Sequence, residues 1–420
     1  MPGKVGLVVR EKNGLCGGDG VAQSAGRIGT PESVQVSDRD VMTATSPILQ
    51  FGTSRFLQAH ADLFISDALE RGEAIGTVAV VQTTGSPERA GRVAAMASGS
   101  GYPVRIRGLV GGVPIDEWKH VRSVRRGLHA DRDWLEVCRL AVEEAVVILS
   151  NTGDRGFEPD PLDDARCIQN RSLVPRGFPA KLVVLLHARW QARPEAPISI
   201  FPCELISRNG EILQTLVTEL AQSWNLPAAF LVYLRSCCRW ANSLVDRIVS
   251  EPLSPVGAVA EPYALWAIER QAELVLPCMH EAIVVTDDLA RFERLKLHLL
   301  NLGHTMLAET WLRSGGSPEL TVSEAMNDPS MRAGLETVWN EEVLPVFMAD
   351  GLGEDARAYL AELRDRFGNP FLFHRLADIA QDHDEKKRRR LLPVVAAAER
   401  LGLPIAQDRL RLALGGQGAA

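Results

Sequence analysis

The chain has 420 residues, a formal net charge of −7, 46% hydrophobic residues and 24% charged residues. Its length points to two domains, each large enough to bury a core, and the acidic balance argues against a nucleic-acid binder, which would carry a basic face. No apolar run approaches the length that spans a bilayer, and residues 5–9, short and interrupted, have no convincing cleavage site after them.

Residues 1–46 are rich in Gly, Ser, Thr and charge and read as a flexible leader with no assigned role. Ordered structure is expected from residues 47–51, a short apolar strand. Gly52, Thr53 and Ser54 then turn the chain, and a helix from about Phe56 stops near Gly72. Residues 77–82 form a β-branched run that reads as a buried strand. Strand, glycine turn, helix, strand is how a parallel α/β sheet begins. Further strands are expected at 145–150 and 198–203, with helices at 180–190 and 211–224. After about residue 285 the strand signal almost ends, and helices are expected at 289–313, 317–327, 331–348, 354–367, 370–382 and 388–401. The fold class is therefore α/β. A Rossmann-type dinucleotide-binding domain is expected over 47–285, a mainly α-helical C-terminal domain over 286–414, and a tail over 415–420. The seven cysteines show no C-x-x-C spacing, which fits reduced thiols and a cytoplasmic location.

A pyrophosphate binds well where a strand turns into a helix, because free N–H groups and the helix dipole point at it. Of the usual G-x-G-x-x-G only Gly52 is present; Ser54 and Leu57 hold the other two glycine positions. The same segment also fits an ordinary strand-to-helix turn. The second strand ends in Gln82-Thr83-Thr84 and lacks the carboxylate that grips the 2′-hydroxyl of NAD. Arg89 and Arg92 follow, suited to a 2′-phosphate or equally to a solvated helix face. NAD is the expected cofactor, with NADP open.

Asp287 or Asp288 is placed to cap a helix that carries Lys296, Asn301 and His304. On a regular helix His304 lies about 80° around from Lys296 and Asn301 about 140°, so all three project into one sector. Gly303 puts that regularity in question. Oxidising an alcohol by hydride transfer needs a base for the hydroxyl proton, and the reverse needs an acid; a lysine serves if its surroundings bring its pKa towards neutral. An Asn amide and a His N–H stabilise the developing alkoxide. Spacing alone favours a surface lysine, a capping asparagine and a core histidine over a catalytic trio.

Lys296-x-x-x-x-Asn301-x-x-His304 resembles the signature of the polyol-specific long-chain dehydrogenases, also called the mannitol dehydrogenase family. Companion motifs agree in order. Phe51-Gly52-x-Ser54-Arg55-Phe56 resembles the family's cofactor turn, and Ser150-Asn151-Thr152 its strand end beside the cofactor. Asn242-Ser243-Leu244-Val245-Asp246-Arg247-Ile248, Ala260-Glu261-Pro262-Tyr263 and Asn369-Pro370 match further blocks. The resemblance implies metal-free hydride transfer with Lys296 as acid/base and Asn301 and His304 as oxyanion and orienting groups. It implies Asp246 and Lys386 as substrate contacts, and Asn151, Thr152 and Asp154 beside the nicotinamide ribose. Glu293 matches an acidic residue linked to proton exchange with solvent. Pro202-Cys203-Glu204-Leu205-Ile206-x-x-Asn209-Gly210 resembles the tagaturonate reductase (altronate oxidoreductase) branch, as does Asn369-Pro370-x-x-x-His374. Polyol-oxidising members carry an Asn where Leu205 stands. The branch implies a keto-hexuronate substrate, with Glu204, His374 and Lys386 around it. Fructuronate, a polyol such as mannitol or arabinitol, and a catalytically inactive nucleotide-binding regulator are the other readings. A monomer or small homo-oligomer is expected.

Overall fold

The computed structural model describes residues 45–83, 87–153 and 156–415. The expectations for residues 1–44, Thr84, Asp154, the side chain of Arg89 and residues 416–420 lie outside the described residues. Ser46, at the end of the expected leader, is buried; its N–H donates to Glu144 at 2.9 Å.

Eight strands come first in the chain. They are β1 (Ile48–Phe51), β2 (Val78–Gln82), β3 (Tyr102–Val110), β4 (Val113–Val121), β5 (Val124–His129), β6 (Val147–Ser150), β7 (Ile198–Pro202) and β8 (Cys238–Trp240). Six of them form one sheet in the order β5-β2-β1-β6-β7-β8, and every neighbouring pair is parallel. Taking these six strands alone in sequence, the order is the Rossmann order 3-2-1-4-5-6. Both faces are covered, which is why the strands read as continuous apolar runs. Leu49 and Phe51 enter a core with the helices Ala130–Glu143 and Phe178–Ala192. Ile48 enters the opposite core with the helix Ala61–Arg71.

Between β2 and β5 the chain inserts the long hairpin β3–β4, whose strands pair antiparallel. Five short strands follow β8: β9 (Ser243–Asp246), β10 (Val249–Pro252), β11 (Ala258–Ala260), β12 (Leu265–Glu269) and β13 (Ile283–Thr286). They build a four-stranded sheet β10-β11-β3-β4 and a three-stranded sheet β13-β12-β9. Sequence periodicity missed both: β9–β13, of three to five residues, carry little pattern of their own, and the nine-residue strands β3 and β4 were passed over.

From Leu289 onward the described chain is helical. Leu289–Leu295 runs through a π turn, Lys296–Asn301, into Leu302–Ser314. A second π turn, Val338–Val343, packs near the first. The helix expected at 317–327 starts only at Val322, because Thr321 and Glu324 form a reciprocal capping box. The helix expected at 370–382 shrinks to Leu376–Ile379. Its first turn is lost because the backbone there bonds elsewhere: the Val322 N–H donates to the His374 carbonyl and the Leu376 N–H to the Leu320 carbonyl, both at 2.9 Å. The expected 388–401 helix is two, His383–Arg390 and Leu392–Arg400, the second with proline in its first turn.

Candidate active site

Strand order reverses between β1 and β6, and α/β folds bind ligands at the carboxyl ends of such strands. β1 leads directly into Gly52, whose φ is +113°. A side chain there would meet the Asn151 carbonyl oxygen at 2.4 Å, so only glycine lets the ends of β1 and β6 approach this closely. Ser54 then caps the one-turn helix Arg55–Gln58, its hydroxyl accepting from the Leu57 N–H at 3.2 Å. Gly52, Ser54, Arg55, Gln82, Thr83, Arg92, Asn151 and Thr152 line a cavity of 390 Å³ at this crevice. The glycine cradle, the capped turn and the switch-point position fit a dinucleotide. The seat is therefore built even though two glycines of the common fingerprint are absent.

A second cavity, of 410 Å³, shares Asn151 and Gly153 with the first. Its wall includes Phe56, Glu204, Leu205, Asp246, Arg247 and Lys296. Glu204 is buried and accepts three hydrogen bonds: from the Ser150 hydroxyl at 3.0 Å, and from the Thr152 N–H and hydroxyl, each at 2.9 Å. Burial pushes its carboxyl above the usual range, against those bonds. Glu204 thus fixes the strand end that the two cavities share. Asn209 of the same motif donates to the carbonyls of Pro202, Glu204 and Ser243, and so locks the loop after β7 to β9. Leu205 is 77% exposed at the cavity wall.

Lys296 enters this cavity from the C-terminal helices. Its ammonium donates to the Val245 carbonyl at 2.8 Å and lies 3.6 Å from Asp246. Asp246 lines the cavity, but its oxygens are engaged: Arg366 donates to both, at 2.8 and 3.1 Å, and Tyr359 to one, at 3.0 Å. Burial would raise the Asp246 carboxyl; Arg366 and Lys296 outweigh this and hold it well below the usual range.

The π turn changes the expected helix face. Such a turn closes over five residues rather than four, so Asn301 sits one turn above Lys296 instead of about 140° around from it. Gly303 does not break the helix. A side chain there would meet Trp339 at 2.8 Å and Phe367 at 3.1 Å, so glycine admits those rings. The Trp339 indole N–H donates to the Leu299 carbonyl inside the π turn at 3.1 Å. His304 is buried and stacks on Phe367, 4.3 Å between centroids, with His374 edge-on at 4.9 Å. Burial and then the neighbouring His374 hold His304 well below its ordinary pKa. Asn301, His304 and His374 are not among the residues lining the Lys296 cavity, nor is Lys386, whose ammonium donates to the Ile379 carbonyl at 2.9 Å. Glu293 accepts from the Ser207 hydroxyl at 2.9 Å.

Arg366, Tyr359 and the buried Glu261 escaped the reading of the sequence as parts of this site. Arg366 pairs with residues 105 and 120 positions away, which no local spacing reveals. Glu261 sits in a recognised block, and Arg366 lies three residues before Asn369-Pro370. Among the described residues no group of three His, Cys, Asp or Glu is placed to hold a metal ion, and no helix is long and apolar enough to cross a membrane.

Residues 46–276 match the mannitol dehydrogenase Rossmann domain, and 288–415 the mannitol dehydrogenase C-terminal domain. The altronate oxidoreductase of Klebsiella pneumoniae subsp. pneumoniae is 32% identical over 392 residues, covering 86% of this chain and 77% of that protein. That of Halalkalibacterium halodurans is 30% identical over 367 residues, 82% of this chain and 69% of its own length. Among solved structures, a substrate-free D-sorbitol dehydrogenase superposes with a TM-score of 0.74 at 18% identity, over 89% of this chain and 80% of that one. Pseudomonas fluorescens mannitol 2-dehydrogenase, in ternary complex with NAD and D-mannitol, gives 0.67 at 19% identity, over 89% and 78%. These last two likenesses are of fold. With both domain models matched in order over most of its length, the chain belongs to the mannitol dehydrogenase family of oxidoreductases.

Proposed function

We propose that the chain reversibly reduces a keto-hexuronate to its aldonate, tagaturonate to altronate foremost, by metal-free hydride transfer with Lys296 as general acid and base. The observation that carries this reading is the position of Lys296 in a cavity that shares Asn151 and Gly153 with the switch-point crevice. The curated relatives named altronate oxidoreductase support the sugar-acid substrate. NAD is the proposed cofactor, and when bound its nicotinamide supplies or takes the hydride.

Phe51, Gly52, Ser54, Arg55 and Phe56 are the proposed cofactor contacts on the β1 side, with Asn151 and Thr152 facing them. In the reducing direction Lys296 gives its proton to the oxygen that gains negative charge, and in the oxidising direction it takes the hydroxyl proton. Asn301 is the proposed donor to that oxygen, and His304, kept neutral by burial, the orienting group. Glu204 and Asp246 act at the cavity wall, and His374 and Lys386 are proposed to face the substrate carboxylate. Residues 47–285 and 286–414 remain the proposed domain limits.

A substrate panel read at the nicotinamide absorbance, with NAD(H) and NADP(H) in parallel, tests the reading. Turnover of tagaturonate or fructuronate is expected, and a chelator should leave the rate unchanged. Turnover of mannitol or arabinitol with none of any uronate overturns it. Lys296→Ala should lower kcat by about 10²–10⁴; activity within a few-fold of the parent overturns the lysine mechanism.

A further inference from the structure

Behind Lys296 lies a set of charges of which Asp246 lines the cavity and Glu261 and Arg366 do not. Asp246 and Glu261 are 5% and 1% exposed, and Arg366, between them, is 2% exposed. Arg366 bonds both oxygens of Asp246, at 2.8 and 3.1 Å, and both oxygens of Glu261, at 2.8 and 3.1 Å. Its guanidinium lies over the Tyr263 ring at 4.2 Å. Glu261 also accepts the Ile248 N–H at 2.7 Å, which pins it to the strand region that carries Asp246. With Lys296 at 3.6 Å from Asp246, the set holds two carboxylates against two cations.

We propose that Arg366 is a positioning residue for Lys296, acting through Asp246: by neutralising the two buried carboxylates it leaves the lysine free to lodge against the Val245 carbonyl and to exchange its proton. The proposal rests on the reading of Lys296 as the acid and base. A planar guanidinium spans two carboxylates, which an ammonium does not. Without it Lys296, 3.6 Å away, becomes the cation paired with Asp246, while Arg247 still faces Glu261. The attraction then draws Nζ off Val245 towards Asp246 and holds its proton more tightly. The other charged groups lining the two cavities that flank Lys296 are Glu204, Arg247, Arg291, Asp355 and Glu362. Arg291 pairs with Asp355 at 3.5 Å, Arg247 bonds main-chain carbonyls, and Glu204 is turned to Thr152. None of these contacts replaces Arg366 at Asp246.

The test compares Arg366→Met, Arg366→Lys and Glu261→Gln/Arg366→Met in the full chain, with kcat and KM measured across pH and cofactor binding followed by fluorescence titration. Arg366→Met is expected to bind NADH within about twofold of the parent, to lose about tenfold or more in kcat, and to move the limb of its pH profile assigned to Lys296 up by about one unit. Arg366→Lys should recover part of both, and the double variant, with one buried carboxylate fewer, should return the limb towards its parental position. If Arg366→Met does not fold, Arg366→Lys decides: a limb above the parental one supports the proposal, and a parental limb overturns it. A loss of kcat with an unmoved limb overturns it too, since a merely structural role gives that result. Lys296→Ala separates the two ideas. If that variant is inactive while the Arg366 variants keep kcat and limb, only the present inference fails; if it is active, the acid–base reading itself fails.

Discussion

Asp62 is fully buried in the first turn of the helix Ala61–Arg71, where the Tyr102 hydroxyl donates to it at 2.7 Å. Burial pushes its carboxyl up to about 7, against the hydrogen bond from Tyr102. The folded value lies above the unfolded value of about 3.9, so its contribution is fully present below that lower value and is lost as pH rises through about 7. Asp62→Asn keeps an acceptor for Tyr102 and cannot ionise. Denaturant unfolding should show it gaining on the parent as pH rises, by on the order of 2–4 kcal/mol between pH 4 and 8. A difference that does not change with pH would show that Asp62 does not titrate. Lys296 was legible from its motif, whereas this buried acid and Arg366 were not. Burial and partners across the fold, not neighbours in sequence, define what those two do.

The π turn is the element that sets the catalytic helix apart. Its Leu299 carbonyl accepts from the Trp339 indole as well as from the Leu302 N–H, and Gly303 makes room for that ring. Gly303→Ala should cost about 1–3 kcal/mol through overpacking against Trp339 and Phe367. Its kcat should fall as well, because relieving the clash displaces Asn301 and His304. Unfolding curves and turnover measured together check this, and a variant unchanged in both would disprove the packing account. The motif spacing announced these residues, but the face they present did not follow from it. A regular helix was supposed while Gly303 put that in question, and the π turn that forms is held by its own main-chain bonds and by the Trp339 indole.

At the scale of the molecule, the site exists because the helices that follow β1 and β6 pack on opposite faces of the sheet and Gly52 lets the two strand ends meet. Gly52→Ala adds a methyl at 2.4 Å from the Asn151 carbonyl at a φ of +113°. It should cost about 1–3 kcal/mol of stability. NADH affinity, measured by fluorescence titration, should fall about tenfold or more as the crevice widens. Parental affinity would place the dinucleotide elsewhere. The second cavity depends equally on the short strand β9, which brings Val245 and Asp246 to Lys296.

Apolar runs and glycine turns in the sequence were enough to establish an α/β fold with a helical C-terminal part, because buried parallel strands and long helices carry their own periodicity. Ordered motifs were enough for the family. The three-stranded sheet, the π turn and the Arg366 cluster were decided by tertiary structure. The hairpin β3–β4 pairs locally and went unread; the others depend on partners far along the chain, and long-range burial leaves no local pattern to read. The trio Lys296, Asn301 and His304 shows the division: its residues are legible in sequence, while the fold turns Lys296 towards the cavity and His304 into the packing behind it.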